Sequence, residues 1–376
     1  MIAGPVVLDT RTASPHFPGI GRAVTGLARA LAVRADSPPV VLLHNAVPDE
    51  RLPLAALRGI TCTASPFAPR QQWEVRQLLR AAGACLYHSP YYLMPFAPGV
   101  RTVVTCYDLI PLTVRGLFGP ARRAAFWVAH ALAFRAAAAI VVPSEATRRD
   151  VSRLFPTHAS KVEVIPIGWR FADAPGADEA RRLRSRLGIT GPYVLSVGSN
   201  KPHKNLRTLL DAWARRVDQR RGGNTGCCSL VIAGPRDARY TGHLPQARRL
   251  RDSGHLIDTG PVSDSMLSAL YQGATLFIFP SVAEGFGLPV IEAMGHGVPV
   301  VCSRIPALTE LAGDAAAMFP PTDVDRLSTL VDHLLDATAD LEKMRENGLA
   351  RAAVFEWDRA AATTSTLYDR VLREHP

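Results

Sequence analysis

The sequence predicts an α/β fold divided into two domains, and three observations carry that prediction. At 376 residues the chain is longer than a single hydrophobic core usually serves. Its apolar fraction of 47% can fill two such cores. Short apolar runs of strand length alternate with stretches of helical periodicity, and several of the runs end in glycine-bearing turns.

The most informative of these units runs from Thr275 to Val301. Thr275 to Phe279 reads as a buried strand, followed by a loop with Glu284, Gly285 and Gly287 and then a helix that carries Glu292. Pro289 suits the first helical turn, where a missing N–H costs nothing, and Gly295 and Gly297 end the helix before the apolar run Val298 to Val301. In an open α/β sheet ligands sit beyond the carboxyl ends of the strands, and a helix N-terminus offers N–H groups to an anion. A phosphate is therefore expected near Gly285, Phe286, Gly287 and Leu288. Carboxylates repel phosphate, so Glu284 and Glu292 need another partner, and vicinal hydroxyls of a ribose or hexose supply it. Phosphate flanked by polyols describes a nucleotide sugar. Two glutamates at this spacing, taken alone, fit an ordinary strand-loop-helix unit equally well.

Toward the N-terminus, the strand Val6 to Leu8 leads into a Pro/Gly-rich loop with Gly19, Gly21 and Arg22, then a helix with Val24, Leu27, Ala28 and Leu31 at helical spacing. A dinucleotide-binding oxidoreductase needs a third glycine in register and an acidic residue closing the second strand. Here Val40 to Leu43 ends in His44 and Asn45, which excludes that class. A helix starts at Gln71, and a short strand ends in His88, Ser89, Pro90, Tyr91 and Tyr92; His88 is either a core histidine or a site residue. The strand Arg101 to Thr105 precedes Tyr107 and Asp108. Ala121 to Ala139 reads as an Ala-rich core helix, and Ser144 as the cap of the next one.

The second half opens with the strand Tyr193 to Val197 and then Gly198 and Ser199; Lys204 stands at the start of a helix, where its ammonium can meet the same phosphate. Strands follow at Leu230 to Ala233 and Leu256 to Asp258, before Val262 and a Ser263-capped helix. Asp323 and Asp325 form a D-x-D pair, the pattern of a metal–nucleotide site, but they open an amphipathic helix and capping accounts for them.

Charge divides unevenly. Up to Arg170 there are 19 basic and 9 acidic residues, and beyond it 24 of each, so the whole excess of +10 lies in the first half. Such a domain suits an anionic partner such as a lipid diphosphate or an acidic membrane surface, although an arginine-rich composition has the same effect. Nucleic acid is disfavoured for want of an aromatic-basic motif. The six cysteines show no C-x2-C spacing and read as reduced thiols. No apolar run approaches the roughly 18 residues of a spanning helix, and the start lacks a basic leader, so a cytoplasmic protein is expected.

The stretch EGFGLPVIEAM from Glu284 to Met294, followed by GHGVPVV, resembles the donor-site signature of retaining family-4 glycosyltransferases with the GT-B fold. The pairs and runs WE at Trp73, HSPYY at His88 and YDLIPL at Tyr107 resemble landmarks of that family's polysaccharide-building branch, which includes mannosyl- and rhamnosyltransferases. The resemblance implies two Rossmann-like domains facing across a cleft, residues 1–170 and 171–355, with a C-terminal helix at 356–376 returning to the first. It implies donor binding by Gly198, Ser199, Lys204, Val262, Gly285, Phe286, Gly287, Leu288 and Glu292, and catalytic roles for Glu284, Lys204 and Asp108. Gly19, Gly21, Arg22, His88 and Tyr107 would line the acceptor side. It implies no metal and no cofactor, and as partners a nucleotide sugar, a glycan or lipid-linked acceptor, and the inner face of an anionic membrane. Many members have histidine where this chain has Tyr107, and arginine where it has Ser199. A glycosidase using Glu284 and Glu292 as acid and nucleophile, a transferase acting on a small secondary metabolite, and a non-catalytic nucleotide-sugar-binding subunit are the other readings.

Overall fold

The computed structural model describes residues 4–14, 17–114, 116–170, 175–219, 228–241 and 244–374. Cys227 and most of the expected linker after Arg170 lie outside them. The chain forms two units, Met1–Gly168 with Phe355–Pro376, and Trp169–Val354.

In the first unit seven strands form one sheet: β1 (Val6–Asp9), β2 (Val40–His44), β3 (Arg58–Thr61), β4 (Leu86–Ser89), β5 (Arg101–Thr105), β6 (Ala139–Val142) and β7 (Val162–Val164). The order is β3-β2-β1-β4-β5-β6-β7 and every pairing is parallel. Parallel strands are covered on both faces, which is why β1, β2 and β6 are near-continuous apolar runs while the edge strand β3 is largely exposed. The covering helices are α1 (Pro18–Ala32), α2 (Gln71–Ala81), the single turn α3 (Ile110–Thr113), α4 (Pro120–Ala136) and α5 (Glu145–Leu154), joined by the last helix of the chain. One core gathers Val7, Tyr87, Val104 and Ile140 against Phe134, and the other gathers Leu8, Leu42, Leu86 and Val103 against α1.

In the second unit β8 (Tyr193–Val197), β9 (Ser229–Ala233), β10 (Leu256–Gly260), β11 (Leu276–Phe279), β12 (Val300–Ser303) and β13 (Ala316–Phe319) form a parallel sheet of order β10-β9-β8-β11-β12-β13. Its helices are α6 (Ala177–Arg186), α7 (Leu206–Gln219), α8 (Leu244–Asp252), α9 (Asp264–Gly273), α10 (Leu288–Gly295), α11 (Pro306–Ala312), α12 (Val324–Asp336) and α13 (Thr338–Ala352). α14 (Trp357–Arg373) then belongs to the first unit, where Ala361, Leu367, Tyr368 and Val371 join the core under α1. Its Trp357 lies so close to α1 that a Cβ at Gly26 would stand 2.2 Å from the indole, which is why no larger residue fits there.

Several sequence expectations need correction or gain detail. Gly19, Gly21 and Arg22 are helical rather than part of a loop, because Pro18, with its preset φ, starts α1 before them. α4 is not a core helix: only His130, Ala133 and Phe134 of it are buried, since the sheet below takes a single stripe. Ser144 caps α5 by accepting from the Thr147 N–H. Asp323 caps α12 by accepting from the Arg326 N–H at 2.8 Å, and Asp325 pairs with Arg215. Among the described residues no cluster of three or more His, Cys, Asp or Glu is placed to hold a metal ion, and no helix is long and apolar enough to cross a membrane. The five described cysteines are free thiols.

Two buried imidazoles, His88 and His130, are pushed down to about 3 because burial disfavours their charged form. Their unfolded counterparts protonate near 6.5. The stability they contribute is therefore complete above about 6.5 and is lost as pH falls toward 3. The urea midpoint should drop between pH 6.5 and 5, where carboxylates remain mostly ionised; a midpoint flat across that window would contradict neutral buried rings.

Candidate active site

Each sheet reverses its strand order once, between β1 and β4 in the first unit and between β8 and β11 in the second. Connections leaving the carboxyl ends of those neighbouring strands diverge, and the gap between them is where α/β folds admit ligands. Gly19, Gly21 and Arg22 follow β1, Gly198, Ser199 and Lys204 follow β8, and Glu284 to Leu288 follow β11, whereas Tyr107 and Asp108 follow β5 and Val262 follows the edge strand β10.

In the second unit the loop after β8 carries Gly198 and Ser199, both half-buried, and a 3-10 turn (Pro202–Lys204) that delivers Lys204. The loop after β11 carries Glu284. These two side chains meet: Lys204 Nζ donates to Glu284 Oε1 at 2.6 Å, and the ammonium also lies 5.2 Å from the centre of the Phe279 ring. Both side chains keep contact with solvent, at 19% and 10% exposure, so the pair is accessible to a ligand. Asn205, in a left-handed conformation, ties its loop to those after β11 and β13, donating to Pro280 O at 3.0 Å and Pro321 O at 2.6 Å. His203 beside the pair is pushed down to about 4, first by burial and then by Lys204, and stays neutral.

Gly287 is the N-cap of α10 with φ of 111°, and a Cβ there would stand 2.5 Å from Leu308, so only glycine fits. No side chain caps this helix, and Pro289 sits in its first turn. The N–H groups of Phe286, Gly287 and Leu288 lie where the helix dipole is positive. Glu292 projects from the next turn and is 1% exposed. A buried carboxylate requires donors; Tyr271 of α9 gives its hydroxyl to Glu292 Oε2 at 3.0 Å. His296 bonds through Nδ1 to Glu292 O at 2.8 Å and through Nε2 to Ser268 Oγ at 3.0 Å, which locks the end of α10 onto α9. Val262 is half-buried just before the Ser263 cap of α9.

In the first unit His88 proves to be structural. It is 1% exposed, and its Nδ1 and Nε2 engage Tyr368 Oη at 2.6 Å and Thr105 Oγ1 at 2.8 Å, so neither nitrogen is left for a ligand. Asp108 accepts from the Ile110 N–H at 3.0 Å, a local bond that leads the chain into the turn α3. Tyr107 is half-buried, and burial raises its phenol well above the usual range. Arg22 is half-buried on α1, and a Cβ at Gly19 would meet nothing within 4 Å.

Three features escaped the sequence reading. Arg236, after β9, donates to Gly198 O at 3.2 Å and to both oxygens of Asp258, at 3.1 and 2.7 Å, and so brings a guanidinium to the loop where Ser199 supplies none. Its signal was the arginine directly after the Gly234-Pro235 turn. Buried Asp9, Arg11 and Tyr87 form a network at the end of β1, with Arg11 Nη2 and Tyr87 Oη each 2.6 Å from Asp9 Oδ2. Beside it Phe17, Phe67 and Tyr91 form an aromatic cluster, with Phe17 stacked on Phe67 at 5.8 Å and 5.1 Å from Tyr91; Phe67 is 54% exposed.

Residues 18–169 match the family model described as Glycosyltransferase Family 4, and residues 191–337 match the model described as Glycosyl transferases group 1. The O-antigen chain mannosyltransferase B of Escherichia coli is 28% identical over 96% of this chain and 99% of its own length. The serotype-specific mannosyltransferase WbdA of Escherichia coli is 29% identical over 73% of this chain, which spans only 34% of that protein's length. Among solved structures, Anabaena HepE in complex with UDP-glucose superimposes with a TM-score of 0.75 at 18% identity, over 97% of this chain and 100% of that one. At that identity the likeness is one of fold, two parallel α/β domains of the GT-B type.

Removing the Tyr271 hydroxyl leaves a buried carboxylate short of a donor. Tyr271→Phe should therefore destabilise the protein by about 1.5–3 kcal/mol, measured as a shift in urea midpoint at constant m-value. No shift would mean that Glu292 finds its hydrogen bond elsewhere.

Proposed function

The chain belongs to the family-4 glycosyltransferases (glycosyl transferases group 1), and from that premise we propose that it moves mannose from a nucleotide diphosphate sugar to a hydroxyl of a glycan or lipid-linked acceptor in cell-surface polysaccharide synthesis. The observation that carries this is the convergence on one strand-order reversal of a lysine, a helix N-terminus without a side-chain cap, and two glutamates. The mannosyltransferase relatives favour the sugar, and the UDP-glucose of the structural neighbour favours the donor class.

On this reading Lys204 and the N–H groups of Phe286, Gly287 and Leu288 take up the charge that develops on the departing diphosphate, and Arg236 adds a second cation near Gly198. This is electrostatic stabilisation by groups already in place, worth a few kcal/mol per donor. Glu292, braced by Tyr271, holds the ribose, and backbone around Val262 meets the base. Glu284 orients the sugar hydroxyls while its partner Lys204 turns to phosphate, so the two exchange a bond with each other for bonds to the donor. The acceptor oxygen forms its bond to the anomeric carbon on the face from which the diphosphate leaves. Its proton passes to that leaving group, so configuration is retained and no metal or cofactor takes part. The aromatic cluster of Phe17, Phe67 and Tyr91 receives the acceptor sugar, whose C–H-rich faces suit aromatic rings. Asp108, near Tyr91 and Tyr92, borders that surface. The protein works in the cytoplasm, against the inner face of the membrane.

Lys204→Ala should lower turnover roughly a hundredfold or more with the fold intact, measured by release of free nucleotide; near-normal turnover would refute its role. GDP, UDP and dTDP, each at a hundred times its dissociation constant, would stabilise the protein by about 2.7 kcal/mol if bound. One of them should raise the melting temperature, and Glu292→Ala should abolish that rise. A shift unchanged in Glu292→Ala would remove this carboxylate from the donor site.

A further inference from the structure

The 3-10 turn Pro202–Lys204 brings a second side chain besides Lys204 to the loops after β8 and β11. His203 is nine-tenths buried, and among the described residues its Nδ1 has no hydrogen-bond partner. Buried polar atoms in folded proteins are nearly always bonded, so an unpartnered one asks for an explanation. The turn itself is firmly held. The Lys204 N–H donates to Lys201 O at 2.9 Å, and the Val282 N–H of the loop after β11 donates to His203 O at 2.8 Å. Asn205, next in the chain, carries the two bonds to Pro280 and Pro321, so His203 keeps its place beside both loops.

Two observations limit what can bond to that nitrogen. The ring feels the charges of Lys204, Glu284 and Lys201, and of these three only Glu284 can accept a hydrogen bond. The backbone brings the same groups together: His203 O is bonded to Val282, two residues before Glu284, while Lys204, one residue after His203, bonds Glu284 Oε1 at 2.6 Å. Burial first, and then the two lysines, keep the ring neutral. A neutral imidazole carries its one proton on either nitrogen, and with the proton on Nδ1 it is a donor. In that form His203 holds an unused N–H next to a carboxylate whose partner is Lys204.

We propose that His203 is a positioning residue that takes over Glu284 when Lys204 leaves it: as the ammonium turns to the diphosphate, the Nδ1–H of His203 donates to the vacated Glu284 oxygen and keeps that carboxylate aimed at the sugar hydroxyls. The inference rests on the exchange of partners described under the proposed function, and it names the group that lets the exchange happen without stranding Glu284. A neutral N–H replaces the lost bond but not the lost charge, so the hydroxyls of the sugar are still needed around the carboxylate. The competing arrangement has Nδ1 on the diphosphate itself, which would make His203 part of the phosphate site and independent of Glu284.

The test is calorimetric titration of the whole protein with GDP-mannose, UDP-glucose and dTDP-rhamnose, carried forward with whichever of them binds. His203→Leu should bind that conjugate about tenfold more weakly than wild type. His203→Asn, whose amide N–H stands where Nδ1 does, should recover most of the loss. In a Glu284→Ala background, where no carboxylate is left to hold, His203→Leu should cost nothing further. Wild-type affinity in His203→Leu, or a loss in His203→Asn equal to that in His203→Leu, would overturn the proposal. So would a tenfold loss that persists in Glu284→Ala, which would place Nδ1 on the diphosphate. Each of these results leaves the donor site standing, whereas a wild-type protein that binds none of the three conjugates would overturn the donor-site reading and this inference with it.

Discussion

Every strand pairing in both sheets is parallel, and most of the architecture follows from that constraint. Parallel neighbours cannot be joined by a tight turn, so each connection crosses a face of the sheet, usually as a helix, and all carboxyl ends point the same way. Loops of the same polarity are gathered at one edge. Where the strand order reverses, the crossovers part to opposite faces and leave an opening lined by backbone N–H groups. In the second unit Lys204, Glu284 and the N-terminus of α10 collect at such an opening.

Within the second unit, the charged groups of the candidate site already have partners. Lys204 and Glu284 neutralise each other, and Glu292 is held by Tyr271. A pair this close has given up part of its hydration, and the Coulombic attraction offsets that loss only while the partners stay together. A diphosphate sugar offers each partner a replacement, anionic oxygen for the lysine and hydroxyls for the glutamate. A ligand that offered only one of the two would leave a half-desolvated charge behind. Under the proposed function, recognition of the whole donor, rather than of phosphate alone, would follow from this pairing.

Much of this was legible in the sequence, and unevenly so. Strand, glycine loop and helix from Thr275 to Met294 could be read closely because local rules govern each step: an apolar run, glycine at a positive φ, proline at a first helical turn. The same rules found the caps at Ser144, Ser263 and Asp323. What escaped depends on distance along the chain. The Arg236–Asp258 pair spans 22 residues and the His88–Tyr368 contact 280, and no periodicity announces either. The error over α4 has a different origin: alanine is compatible with a core and with a surface, so an Ala-rich helix carries no mark of which side is covered.

The position of α14 shapes how the molecule is made. The second unit is one continuous stretch, whereas the first is completed by residues that follow it, since Tyr368 and its neighbours fill the space beneath α1. During synthesis the chain emerges N-terminal end first, so the core beside α1 must wait, only partly covered, until the whole second unit and the last helix have been translated. The domain that begins the sequence is the one that finishes folding last, and its partly covered core is what a chaperone would have to guard in the interval.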